Sequence, residues 1–253
     1  MDPLDAFPSA PVRYTFDDDE SDDEYTQASQ VGVKLSVHLS SGQSAPTLIL
    51  GLSGPGSVFT RSLGPDIQAV GHLSYQIQED KEEKWPIYCR DTLLFIPIDK
   101  ALPREDITEA ARSVLAPFSD IQKVIVLDSF TSTMYTSSTW NEDMYPPCLR
   151  LLQTTNTSKI PDIQQYEPPN ILQDMSAALM TYCEVRNIPC YTLLSLQESL
   201  LGKLIVTGDT LNAYVQGLQS LGLKVEYDES RMNEILQVNH SGRVDEHHHR
   251  LFL

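Results

Sequence analysis

Asn170-Ile171-Leu172-Gln173-Asp174-Met175-Ser176-Ala177-Ala178-Leu179-Met180-Thr181-Tyr182-Cys183-Glu184-Val185-Arg186-Asn187-Ile188-Pro189-Cys190-Tyr191-Thr192-Leu193-Leu194 sets the fold class. Met175, Leu179, Tyr182, Cys183 and Arg186 recur at helical spacing, and either Asn170 or Asp174 suits the cap of that helix. Asn187-Ile188-Pro189 ends it, because a residue before proline is pushed out of the helical region. Cys190–Leu194 then follows as a continuous apolar run, as expected of a strand buried on both faces.

The same alternation extends in both directions. Thr47–Leu52, Thr92–Pro97 and Lys123–Asp128 read as three more buried strands, and Val31–Leu39, which alternates loosely, as an edge strand. Pro103–Leu115 reads as a helix with Pro103 in its first turn, Glu105 and Asp106 complementing the dipole, and Ile107, Ala110, Ala111, Val114 and Leu115 on one face. A further helix opens at Asp209 and closes near Gly222, followed by a short strand or extended connection over Leu223–Tyr227. Buried strands alternating with amphipathic helices predict a single-domain α/β sandwich with a mostly parallel or mixed sheet, occupying residues 31–238.

The two ends differ in character. Residues 17–24, Asp-Asp-Asp-Glu-Ser-Asp-Asp-Glu, hold seven carboxylates in eight positions, and the first thirty residues carry nine acids against Arg13. Such a block repels itself and stays solvated, so residues 1–30 are expected to form a disordered acidic arm, with Ser21 placed for an acid-directed kinase. Residues 239–253 form a polar tail closed by the apolar tip Leu251-Phe252-Leu253, expected to be flexible and either tucked onto the domain or offered to another protein.

Composition excludes several functions. A net charge of −17 opposes binding to nucleic acid and adsorption to anionic lipid. No basic start followed by an apolar run marks a secretory signal, and the longest apolar stretches are too short to span a bilayer. Cys89, Cys148, Cys183 and Cys190 lack metal or redox spacing, which fits core thiols in a reducing cytoplasmic or nuclear compartment.

Candidate chemistry is sparse. Gly51-Leu52-Ser53-Gly54-Pro55-Gly56-Ser57 follows a strand and precedes a short helix, where α/β folds hold phosphates, but it matches no phosphate-binding fingerprint and Pro55 removes an amide. Ser53 is not a nucleophile elbow, Asp128 at a strand end reads as a turn or cap residue, and His38 and His72 are isolated in sequence. Adjacent His247, His248 and His249 cannot all aim at one ion. No cofactor and no catalytic set is expected. The Ser- and Thr-rich connection Ser129–Pro147, with Tyr135, Trp140 and Tyr145, is long enough to have a binding use.

Glu167–Cys183 and Asn187-Ile188-Pro189, with Pro147-Cys148-Leu149-Arg150-Leu151-Leu152-Gln153-Thr154 upstream, resemble the proteasome assembly chaperone 1 family. The similarity covers about residues 120–215; residues 31–115 match only in the order of elements. The resemblance implies a non-enzymatic chaperone with a nucleoside-phosphorylase-like fold. It further implies a heterodimer with proteasome assembly chaperone 2, which binds α-type subunits of the 20S proteasome, promotes α-ring formation and blocks off-pathway ring association. Family members insert a C-terminal hydrophobic–tyrosine–any motif into pockets between α subunits; here the positions are Leu251, Phe252 and Leu253, with phenylalanine replacing tyrosine. The alternative is a nucleoside-phosphorylase-like or nucleotide-binding α/β enzyme, using the Gly51–Ser57 turn and Asp128.

Overall fold

The computed structural model describes residues 34–40, 46–78, 81–137, 144–200 and 203–238. In chain order the elements are β1 (Lys34–Leu39), β2 (Thr47–Gly51), α1 (Pro55–Arg61), β3 (Gln68–Gln78), β4 (Lys81–Arg90), β5 (Leu93–Pro97), α2 (Ile107–Leu115), β6 (Lys123–Phe130), β7 (Leu149–Gln153), α3 (Asp174–Val185), β8 (Cys190–Leu196), β9 (Ser199–Leu200), β10 (Lys203–Leu204), α4 (Gly208–Ser220) and α5 (Glu229–Val238). Eight strands form one mixed sheet in the order β1-β3-β4-β5-β2-β6-β8-β7. The middle four, β5-β2-β6-β8, are parallel, whereas β1, β3, β4 and, at the far edge, β7 join by antiparallel pairings.

The parallel strands are apolar throughout because helices cover both of their faces. Leu48 and Leu50 of β2, Leu94 and Ile96 of β5, and Val124 and Val126 of β6 pack with α2 and α3. The alternate residues Ile49, Phe95, Ile125 and Leu127 pack with α1, α4 and α5 through Phe59, Leu211, Tyr214, Leu218 and Met232. A third cluster of Phe130, Tyr135, Leu194 and Leu196 underlies the long connection after β6.

Local signals set the helix ends. Thr207 accepts the Thr210 amide at 3.3 Å at the start of α4, and Asp228 Oδ1 accepts the Ser230 and Arg231 amides at 2.8 and 3.2 Å at the start of α5. Asn187, at φ 57°, follows α3 while the Ile188 amide bonds back to Cys183 O at 2.8 Å, and Gly222, at φ 80°, closes α4 in the same way.

The expected α/β sandwich and its four buried strands are present, and the Lys34–Leu39 part of the expected edge strand occupies one edge. Several boundaries differ. Residues Pro103–Asp106 form a turn closed by the Asp106 amide on Pro103 O, so the helix begins at Ile107 rather than in a turn led by Pro103. Of the two candidates for the start of α3, Asp174 is the first helical residue, but neither caps the helix, since Gln173 holds the cap position without a side-chain bond. Leu223–Tyr227 is an extended connection with an isolated bridge from Tyr227 to Leu63. No helix among the described residues is long and apolar enough to cross a membrane.

Candidate functional site

The parallel strands end together at one side of the sheet, and there β2 and β5 lead into helices on opposite faces, α1 and α2, before the chain continues to β3 on one side and β6 on the other. Open α/β sheets form their binding crevices at such a point. Two connected hollows lie along it and share Ser53, Lys100 and Ser129. One, of 580 Å³, opens toward α2 and α3; the other, of 700 Å³, lies against α1 and α5.

The Gly51–Ser57 turn is part of this crevice, and its glycines serve close packing. A Cβ on Gly51 would sit 2.2 Å from Gly56 O, and one on Gly56 would sit 2.2 Å from Leu127 O. The turn is therefore pressed onto β6, with the Leu52 amide on Leu127 O at 2.9 Å. The hydroxyls of this turn are engaged by Asp99. Ser57 Oγ donates to Asp99 Oδ1, Arg61 pairs with Asp99 Oδ2 at 3.1 Å, and Ser53 Oγ donates to the Asp99 carbonyl at 3.3 Å.

The remaining basic side chains along the crevice are also committed. Lys100 bonds Glu83 at 2.5 Å and Arg104 approaches Asp174 at 3.5 Å. The crevice is thus neutralised from within, an arrangement poorly suited to an anionic cofactor. Among the described residues no three His, Cys, Asp or Glu side chains converge as metal ligands.

Asp128 stands at the crevice floor, half-buried, with its Oδ1 accepting the Ser129 amide at 2.8 Å. Its carbonyl accepts the buried Tyr214 hydroxyl at 2.6 Å. Desolvation pushes its carboxyl above the usual range, and the charge of Asp174 adds to this; hydrogen bonds from Ser176 and the Ser129 amide pull the other way. Asp128 therefore ties β6 to α4 and to the first turn of α3, whose flanking Gln173 makes no side-chain cap. Its raised value means that the folded state holds the proton more tightly than the unfolded chain. That contribution to stability is complete below the ordinary carboxylate value of about 4 and is lost as pH rises through the raised one. Asp128→Asn should consequently gain in melting temperature over the parent progressively from acid toward neutral pH. Parallel curves for the two proteins would contradict this reading.

The long connection is anchored rather than loose along its described parts. Tyr135 is buried against Phe130 and Tyr166, with ring centroids 5.0 and 5.6 Å away. Asn170 holds Thr136 through both backbone groups, each at 2.8 Å. This is the role of Asn170 in place of a helix cap. Arg150, 5% exposed, donates to the Tyr135 hydroxyl at 3.1 Å and to Leu149 O at 3.0 Å, with its guanidinium 5.3 Å from the Tyr135 ring centroid and its second amino group near Met144 Sδ. Arg150→Met should lower stability by roughly 2 kcal/mol, read as a fall in melting temperature. An unchanged melting temperature would remove Arg150 from this anchoring role. Above the anchors, Met134, Tyr145 and Ile171 are each more than two-thirds exposed, an apolar display suited to protein contact.

The other sequence candidates are dispersed. His38 and His72 meet across β1 and β3, far from isolated in space. Cys183 and Cys190 are free and fully buried; hydrogen bonding with Cys183 is the main cause that raises the Cys190 thiol, followed by burial. The arm with Ser21, Trp140, the histidine tract and Leu251, Phe252 and Leu253 all lie outside the described residues. Arg150 and the Asp99 cluster were missed from sequence because their partners come from distant segments; the signal present was a lone arginine inside an apolar strand.

A family model described as proteasome assembly chaperone 4 matches residues 116–252. Proteasome assembly chaperone 1 of Dictyostelium discoideum is 30% identical over 108 residues, 43% of this chain and 39% of that protein. Its namesake from Bos taurus is 35% identical over 75 residues, 28% of this chain and 26% of the relative. These matches span well under half the length of either curated relative. Among solved structures, Pyrococcus furiosus PbaB, an archaeal proteasome activator, superposes with a TM-score of 0.57 at 16% identity, covering 83% of this chain and 96% of its own. PbaA of the same organism, an archaeal homolog of proteasome-assembly chaperone, gives 0.56 at 15% identity, with 82% and 93% covered. At these identities the two structures establish the shared fold.

Proposed function

We propose that this chain, which belongs to the proteasome assembly chaperone family, is a non-enzymatic chaperone of 20S proteasome assembly. With a homologous partner, proteasome assembly chaperone 2, it binds α-type subunits, promotes α-ring formation and prevents off-pathway ring association. The tip Leu251-Phe252-Leu253 docks in a pocket between α subunits, and the folded body supplies partner contacts. Its place of action is the cytoplasm or nucleus, a reading supported by the two free buried thiols.

The observation that carries the proposal is the family match, which runs through the second half of the chain to residue 252. Two features of the fold support it. The crevice that an enzyme of this architecture would use has its basic groups paired with carboxylates of its own. The connection after β6 is instead held so that Met134 and Tyr145 face solvent. Binding by a short tip is weak alone, and a second tail together with body contacts raises it through effective concentration.

Capture by the tagged heterodimer tests the reading. Recombinant α-type subunits should be retained by the pair and poorly by this chain alone. Failure of the pair to retain any α-type subunit would overturn the proposal.

A further inference from the structure

β1, β3 and β4 extend the sheet beyond the parallel strands. Leu35, Leu73, Tyr75, Trp85 and Ile87 turn one face of this extension into the core with α2. Strand alternation therefore gives the other face to Ser36, His38, His72, Ser74, Glu82 and Lys84.

On that face His38 and His72 are direct partners in the antiparallel register. Their imidazoles lie nearly parallel, 24° apart, with centroids separated by 4.9 Å. Cβ atoms of such partners stand about 4.5–5.5 Å apart, a spacing from which two rings can turn a nitrogen each toward one ion. The ligands are carried by a hydrogen-bonded ladder, so little further ordering is needed to bring them together. Ser36 Oγ lies 3.0 Å from His38 Nε2. In the tautomer whose Nε2–H donates to that hydroxyl, Nδ1 bears the lone pair a metal takes, the kind of orienting bond metal-binding histidines use.

The surroundings favour a cation. His38 is exposed and His72 half-buried, so both rings are reachable. The Glu82 carboxyl lies close enough to respond to His72, although the Ser74 hydroxyl is the main cause of its lowered pKa and Lys84 also contributes. The chain's charge of −17 raises the local concentration of divalent cations.

We propose that His38 and His72 form a two-imidazole chelate for a divalent transition ion of the zinc class, clipping the outermost strand β1 to β3. Water completes the coordination, so the site is weaker than a four-ligand structural site. Imidazole pairs suit zinc, copper and nickel and leave magnesium and calcium to oxygen ligands. The clip acts on the strand that joins the acidic arm to the sheet.

The test uses the full chain carrying H247A, H248A and H249A, which removes the competing tract. Zinc chloride is titrated by calorimetry, and amide exchange of Lys34–Leu39 is followed with and without the ion. One zinc per chain and slowed exchange in β1 are expected. His38→Ala and His72→Ala should each weaken binding by roughly 10-fold or more, with metal-free melting temperatures unchanged; His38→Gln serves as a second variant that keeps side-chain bulk. Binding unaltered by H38A together with H72A would overturn the proposal. So would the absence of binding once the tail histidines are gone, which would assign zinc uptake to the tail.

Discussion

Removal of Leu251-Phe252-Leu253 should weaken binding of the heterodimer to α-type subunits by roughly 100-fold, while leaving the heterodimer itself intact. Burial of the Leu251 and Phe252 side chains is worth about 1.5–3 kcal/mol each. Ordering the side chains at the interface returns about 0.5–1.5 kcal/mol apiece. The net is near 3 kcal/mol, which sets the factor. Truncation also shortens the chain by three residues. Point changes separate these effects, since Phe252→Ser keeps the chain length but loses the ring. Phe252→Tyr restores a phenolic hydroxyl and should tighten binding by about 1 kcal/mol. Equal binding by truncated and full-length chains would place recognition on the body and remove the tip from the account.

Phe59→Ala should destabilise the fold by about 3–5 kcal/mol, a large part of the roughly 5–15 kcal/mol available to a domain. Phe59 is 0% exposed and projects from α1 between the sheet and the second helical layer. Its ring meets Tyr214 of α4 edge-on at 5.6 Å and lies 6.1 Å from Tyr227. Truncation leaves a cavity that α1 cannot close, because Gly51 and Gly56 already press its leading turn against β6. Phe59→Leu should recover most of the loss. A loss below about 1 kcal/mol by chemical denaturation would show that α1 repacks, contrary to the close approach at Gly56.

The parallel strands were legible because helices cover both faces, which forces an uninterrupted apolar run such as Val124–Leu127. β3 and β4 escaped detection for the opposite reason. With one face in the core, apolar residues alternate with His72, Ser74, Glu82 and Lys84, and Pro86 and Gly71 interrupt the pattern further. α5 was missed because Met232 and Leu236 are its only buried side chains. The site divides similarly. Glycines and an acid near the strand ends were visible in sequence, but their use was not. Asp99, which accepts from Ser57 of the Gly51–Ser57 turn, and the Arg150–Tyr135 anchor depend on contacts between segments far apart in the chain. The His38–His72 pair likewise exists only once the register of β1 on β3 is fixed.

Native mass spectrometry of α-type subunits mixed with and without the heterodimer addresses the proposed function most directly. The account predicts that the heterodimer raises the yield of single α-rings, remains bound to them, and lowers the share of paired rings. Ring yield and ring pairing that are identical in its presence and absence would contradict it.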